Sequence, residues 1–292
     1  MSNAVADLSA FAGAQFQPTT FSYGERDALL YALGVGAAPD PLDPTGLGYA
    51  YENAPSGFQL LPTFAATFGY QAMWQILDVP GLNLNPMMLL HGEQVTSVPR
   101  PLPPKATVTS RGAISHVYDK GSGALFLIDV ASTGEDGALL AENRYSLFVR
   151  GRGGWGGERG PAAAEDVPAG PPDAVVEQPT APNQALLYRL SGDYNPLHVD
   201  PRVASLAGYD RPILHGLATF GFAAHALLRH VTGGRVAPFR TMRARFAGHV
   251  FPGETLLTEL WQPDAGAVLF RCRVAGRETV VLSHGRLELE HD

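Results

Sequence analysis

The chain repeats the same short motifs in the same order, so it is expected to fold as two similar units. Ala28–Tyr31 reads ALLY, and Ala185–Tyr188 reads ALLY again. Set together without a gap, Pro39 falls on Pro196. Downstream, ATFG at Ala66–Gly69 is followed by Tyr70, and ATFG at Ala218–Gly221 is followed by Phe222. A weaker pair joins RPLPPKATV from Arg100 to HVFPGETLL from His249. Internal similarity of this kind outranks any local reading of the chain. Each unit offers a short helix (Arg26–Leu33; Asn183–Leu190), a Gly/Pro/Asp-rich loop and a longer apolar helix (Thr63–Leu77; Gly216–His230). Strand-like segments follow in both. In the first unit they lie near Val95 and over 106–118, 124–133 and 139–149; in the second, over 241–246, 255–262, 267–274 and 279–289. Helix first, then antiparallel strands, is an α+β plan in which a curled sheet wraps a helix. The Gly/Pro-rich stretch from Gly151 to Pro182 reads as a surface connector, and the boundary is set at 1–155 and 156–292.

Charge and cysteine content narrow the classes of function. Formal net charge is −7, which disfavours a nucleic-acid partner, because phosphate binding needs a surplus of cations on one surface. The lone Cys272 sits in an apolar strand pattern and can form neither an internal disulfide nor a zinc cluster. No apolar run reaches the roughly 20 residues of a membrane span. The first residues lack the pattern of a secretory leader, and the last, LELEHD, lack a peroxisomal SKL-type tripeptide. The expectation is a cytoplasmic protein, with a peroxisomal one kept open for a eukaryotic source.

Chemistry concentrates in the second unit. Ser191-Gly192-Asp193-Tyr194-Asn195-Pro196-Leu197-His198 places a carboxylate, an amide and an imidazole in one turn-rich loop. Such a set can orient a water, take its proton and return one, which is what addition to an activated double bond requires. Ile213-Leu214-His215-Gly216 leads into the apolar helix, and Gly216 offers an unshielded first-turn N–H to a developing oxyanion. The sister loop carries Gly36, Ala38 and Pro41 opposite Asp193, Asn195 and His198, so loop geometry alone does not demand those side chains. Taken by themselves, Asp193 reads as a turn residue, His198 as a surface imidazole and Asn195-Pro196 as an ordinary turn pair. His215 reads as structural. Asp200 beside His198 lacks a third metal ligand of suitable spacing, so no metal is expected.

The segments YRLSGDYNPLHVDP and ASLAGYDRPILHGLATFGFAA resemble the signature of the hydratase 2 family of MaoC-like hot dog proteins. LLHGEQ, DKGSGAL, GGWGGERG and RARFAGHVFPGETL extend the similarity over nearly the whole chain. The resemblance implies a double hot dog fold and hydration of trans-2-enoyl-CoA to the (3R)-3-hydroxyacyl-CoA. It implies Asp193 and His198 as the catalytic pair, Asn195 as a water-ordering residue and Gly216 as the oxyanion donor. It places Tyr194, Pro196 and Leu197 along the thioester end of the ligand, with His91, Gly92 and Phe246 as further contacts. Lys120 becomes a cation near the coenzyme A portion, and the first unit, free of catalytic side chains, a holder of the acyl chain and coenzyme A. No cofactor is implied beyond the coenzyme A thioester substrate, and a homodimer is implied. Gly248-His249 departs from the more usual Lys-Pro of the family. A hot dog thioesterase, an acyl-carrier dehydratase and a non-catalytic acyl-CoA binder stay as alternatives. The absence of Asp and Glu from Gly216–His230 counts against the thioesterase.

Overall fold

The computed structural model describes residues 6–162, 164–264 and 266–290. The duplication is written into its strand order. In the first half, strand β1 (Thr19–Tyr23), helices α1 (Glu25–Gly34), α2 (Pro44–Ala50) and α3 (Tyr70–Trp74), and strands β2 (Leu89–Ser97), β3 (Ala106–Asp119), β4 (Gly123–Thr133) and β5 (Leu139–Arg150) follow in turn. The second half runs β6 (Ala174–Pro179), α4 (Gln184–Tyr188), α5 (Pro201–Leu206), α6 (Gly216–Thr232), β7 (Phe239–Phe246), β8 (Thr255–Asp264), β9 (Ala267–Val274) and β10 (Thr279–Leu289). One antiparallel sheet joins them in the order β1-β3-β4-β5-β2-β7-β10-β9-β8-β6. Read outward from the central β2·β7 pair, the second, fifth, fourth, third and first strand of each half appear in the same sequence. The halves meet where Glu93 pairs with Arg245 and Val95 with Arg243.

Helix α6 has 17 residues, most of them buried, as befits a helix wrapped on its faces by sheet and neighbours. Arg229 and His230 occupy its last turn, where cations oppose the helix dipole. Gly233, at φ 62°, lets Gly234 N–H close on Leu228 O at 3.0 Å, which ends the helix. Its partner in the first half departs from expectation. Instead of one helix over Thr63–Leu77, the chain makes a 3₁₀ turn at Pro62–Thr67, the five-residue α3 and a second 3₁₀ turn at Gln75–Asp78. The cause lies in the sheet. Asn143 Nδ2 donates to Ala65 O at 2.9 Å, Tyr145 Oη to Ala66 O at 2.8 Å and Ser110 Oγ to Phe68 O at 2.9 Å. These side chains bond carbonyls that a continuous helix would pair internally, so in the broken form these three carbonyls keep partners.

Two strands, β1 and β6, were not expected. Both are edge strands, and β6 lies inside the stretch read as connector. The larger of two hydrophobic clusters spans both halves, from Phe64 and Phe68 through Tyr31 and Tyr188 to Phe220 and Phe222, and the smaller packs Met73 and Ile76 on Phe126 and Leu147 within the first half. Cys272 is buried within the larger, its thiol pushed up to about 12 by burial, which fits a packing residue and not a nucleophile. No described helix is long and apolar enough to cross a membrane.

Candidate active site

The loop after α4 turns at Gly192, whose φ of 113° favours glycine. Asp193 Oδ1 then accepts from Asn195 N–H at 3.1 Å, and Asn195 Oδ1 accepts from Leu197 N–H at 3.0 Å, opening a 3₁₀ turn at Pro196–His198. This local bonding folds the segment back and brings His198 toward Asp193. The Asn195 oxygen is thereby tied to the backbone, and its amide nitrogen remains a donor for water. Asp200 caps α5 through Arg202 N–H and pairs with the Arg202 guanidinium, so it takes no part in the cluster.

His198 is buried, and its Nδ1 lies 2.9 Å from Ile213 O. A carbonyl only accepts, so Nδ1 carries the proton and Nε2 presents its lone pair. Burial holds the His198 pKa below the ordinary histidine value, with the Asp193 charge and the Ile213 bond opposing. The structure adds a residue the sequence reading set aside as structural. The His215 ring stacks on His198 at 3.7 Å between centroids and 27° between planes. Its Nε2 lies 3.2 Å from Asp193 O, tying the start of α6 to the loop, while Nδ1 is buried without a hydrogen-bond partner. Burial, then the neighbouring His198, push the His215 pKa down to about 2, so it stays neutral. Donor atoms of Asp193, His198 and His215 lie within 4.8 Å of one another, close enough to share a water or a metal ion. The trio supplies the third donor that sequence spacing had not offered.

Gly216 is the first residue of α6, next to these groups. The helix's own bonds begin with Ala218 and Thr219 N–H on His215 O, so Gly216 N–H precedes the ladder. A Cβ at Gly216 would meet the Phe246 ring at 3.1 Å, so the absent side chain also admits that ring. Phe246 in turn packs edge-on against His91, 4.8 Å between centroids. His91 sits at the bulge of β2 that Gly92 creates, its pKa lowered to about 4 mainly by burial and its Nε2 unpartnered. The Asp193 charge reaches it. Asp193, His198, Gly216, His91, Gly92 and Phe246 thus come together from four segments of both halves.

Other expected contacts lie apart. Tyr194 is 59% exposed and faces outward beneath the Arg189 guanidinium, 4.8 Å away. Pro196 is exposed and Leu197 half-buried. Lys120, in the β3–β4 turn, is held by Arg159 O and lies in the field of Arg159 and Arg245. Arg245 lies on β7 beside Phe246 in sequence, with its side chain on the opposite face of the sheet, where it pairs with Glu93. The two arginines had no distinguishing signal in sequence beyond their place in the matched segments.

Residues 21–151 match the model of the MFE-2 hydratase 2 N-terminal domain, and residues 163–281 that of the MaoC like domain. The chain is 42% identical to the peroxisomal enoyl-CoA hydratase 2 of Arabidopsis thaliana, over 91% of this chain and 90% of that protein. It is 41% identical to the peroxisomal multifunctional enzyme type 2 of Mus musculus over 98% of this chain, which spans 39% of that longer protein. The crystal structure of a MaoC-like dehydratase from Phytophthora capsici superposes with a TM-score of 0.85 at 35% identity, covering 97% of this chain and 98% of that one. A Mycobacterium tuberculosis protein described as having a double hot dog fold superposes at 0.58 with 17% identity, over 94% and 95% of the two chains, a likeness of fold alone. On these grounds the chain belongs to the hydratase 2 family of MaoC-like double hot dog proteins.

Proposed function

We propose that the protein is a hydro-lyase that reversibly hydrates trans-2-enoyl-CoA to (3R)-3-hydroxyacyl-CoA. The observation that carries this reading is the meeting of Asp193, His198 and His215 within 4.8 Å at the start of α6, beside Gly216. Asp193 and the bare Nε2 of His198 grip one water. Its oxygen bonds to C3 of the enoyl thioester as the C2–C3 π bond breaks, and one of the pair takes the water proton. Charge moves onto the thioester oxygen, where Gly216 N–H receives it; one such donor is worth roughly 3 kcal/mol in other enzymes. The pair then gives a proton to C2 on the same face. With Asp193 ionised and His198 neutral, neither group brings a proton of its own, so the water supplies both hydroxide and proton and the site returns unchanged. Hydration moves no electrons to or from an acceptor, so no redox cofactor is required. His215 serves as a neutral brace: its Nε2–H is spent on Asp193 O, and its ring stacks on His198.

The acyl chain runs into the first half, and the coenzyme A phosphates meet Lys120 with Arg159. A homodimer is the assembly in which we expect the enzyme to work. The test is a hydration assay on crotonyl-CoA and a longer enoyl-CoA, read for stereochemistry. Asp193→Asn and His198→Ala should each lower turnover by roughly 10²-fold or more, with circular dichroism and melting unchanged. Near-native rates in either variant would remove the mechanism.

A further inference from the structure

One carboxylate clasps the glycine-rich chain after β5 onto the β3–β4 turn. Asp119 ends β3 and is 4% exposed. Its Oδ1 accepts from Gly121 N–H at 2.7 Å and from Gly154 N–H at 2.8 Å, and its Oδ2 from Gly156 N–H at 2.8 Å. Its own N–H donates to Glu158 O at 2.8 Å, and Gly151 N–H donates to Ser122 O at 2.8 Å, so the strap 151–160 is tied down near both ends. Between them the packing is backbone on backbone: a Cβ at Gly153 would fall 2.5 Å from Gly123 O and 2.7 Å from Gly121 O. The Gly154 bond first, then those of Gly121 and Gly156, hold the Asp119 carboxyl down at about 2 against burial, so it is ionised at any working pH.

A carboxylate satisfied by peptide N–H groups leaves nearby cations unspent. Turn and strap each carry one. Lys120 Nζ donates to Arg159 O and stands 5.7 Å from the centroid of the Tyr118 ring. Arg159 is exposed, and among the described residues no carboxylate pairs with either side chain. Burial first, then the Arg159 charge, lower the Lys120 pKa. An anion beside the two relieves their repulsion.

The sheet register sets the distance to the reacting groups. Asp119 pairs with Ala124, Ala124 with Val149, and Val149 with Leu89, which stands two residues before His91. Three strand spacings crossed with two residues of rise put the turn about 16 Å from His91. The pantetheine arm of coenzyme A, from sulfur to the first phosphorus, is roughly thirteen bonds. That is the backbone length of four to five extended residues, about 15 Å.

We propose that Asp119 is a positioning residue for coenzyme A: it closes turn and strap into one frame that presents Lys120 and Arg159 side by side to the phosphates of an acyl-CoA. This rests on the reading of the substrate as a coenzyme A thioester. Asp119 is spent on backbone N–H groups and lies far from the reacting carbons, so its effect falls on the binding of phosphate-bearing substrates alone.

The experiment compares native protein, Asp119→Asn and the double variant Lys120→Gln/Arg159→Gln on crotonyl-CoA and crotonyl-pantetheine, which share the reacting atoms but not the phosphates. Circular dichroism and melting check the fold. An asparagine sets an amide N–H2 against a backbone N–H donor and opens the clasp. Asp119→Asn should raise KM for crotonyl-CoA by roughly tenfold at unchanged kcat, with kcat/KM for crotonyl-pantetheine near native. The double variant should repeat the loss on crotonyl-CoA. Titration calorimetry with free coenzyme A and with pantetheine reads the same preference without turnover. An Asp119→Asn protein with native KM for crotonyl-CoA overturns the inference, as does a double variant with native KM. Equal losses on both substrates, or an Asp119→Asn chain that does not fold, make Asp119 a general frame residue and overturn it as well. If the native protein hydrates neither thioester, yet binds coenzyme A above pantetheine and loses that preference in Asp119→Asn, the proposed reaction falls and this inference stands.

Discussion

His225 offers a measurement of how firmly the core refuses charge. It lies mid-helix on α6, 2% exposed, with Gln178 Nε2 3.0 Å from its Nδ1 and Tyr49 edge-on at 5.7 Å. Gln178 can only donate from that nitrogen, so His225 accepts at Nδ1 and carries its proton on Nε2, which is buried without a partner. Burial first, then Arg229, lower its pKa from 6.5 to about 4. Below pH 6.5 the unfolded chain therefore binds a proton that the folded chain declines until about pH 4. The penalty is absent above 6.5 and grows as pH falls through this window. At pH 5 it amounts to about 2 kcal/mol, a large part of the 5–15 kcal/mol typical of a folded protein. His225→Gln keeps an acceptor for Gln178 and cannot titrate. Urea unfolding of native and variant between pH 5 and 7.5 should give free-energy curves that converge or cross as pH falls, the variant gaining about 2 kcal/mol on the native protein by pH 5. Curves that stay parallel would refute the assignment of a depressed pKa to this histidine.

Other perturbations probe the frame and the site. Gly69→Ala would set a methyl 2.7 Å from Tyr145 Oη and 2.9 Å from Val130 Cγ1, both held in the sheet; overpacking of this kind costs about 1–3 kcal/mol, readable as a fall in the urea midpoint at unchanged m-value. Exhaustive chelation with EDTA should leave hydratase turnover unchanged, because the trio is proposed to hold water; a loss reversed by added zinc would show that it holds a metal. Gly216→Ala keeps the N–H but should press on Phe246, 3.1 Å from the new Cβ, and lower kcat/KM through the shifted ring, with a fall in melting temperature that reports the same contact.

Legibility in the sequence followed the range of the forces involved. Helix α6 could be read because its causes are local: a continuous apolar run, cations in the last turn and a glycine pair beyond. The broken partner could not, since Ser110, Asn143 and Tyr145 act on it from 42, 78 and 79 residues away. Edge strands β1 and β6 are short, and β6 is bounded by proline-rich chain that conceals its alternation. At the site, Asp193, His198 and Gly216 were marked by motif. His215 was not, since its worth comes from stacking on a residue 17 positions earlier, although a histidine immediately before the first helical glycine was an available signal. Tyr194's exposure was not readable from its place within the motif, which says nothing of its side chain's direction.

The two halves also differ in ways that favour the second as the seat of the proposed chemistry. An oxyanion donor at a helix start draws on aligned peptide dipoles and on N–H groups outside the ladder, and α6 provides both over 17 residues. The equivalent segment of the first half surrenders its carbonyls to Asn143, Tyr145 and Ser110 and never runs more than five residues as α-helix. It has little macrodipole to offer. Its loop is equally closed to chemistry: Gly36, at φ 66°, lies against the Phe222 ring, and Val35 and Ala37 beside it are fully buried. No carboxylate fits there without displacing the core of the other half. What the broken helix yields instead is space, in an aromatic-walled cavity beside Asp193. On the proposed reading, that leaves the first half to hold substrate and the second to carry out the reaction.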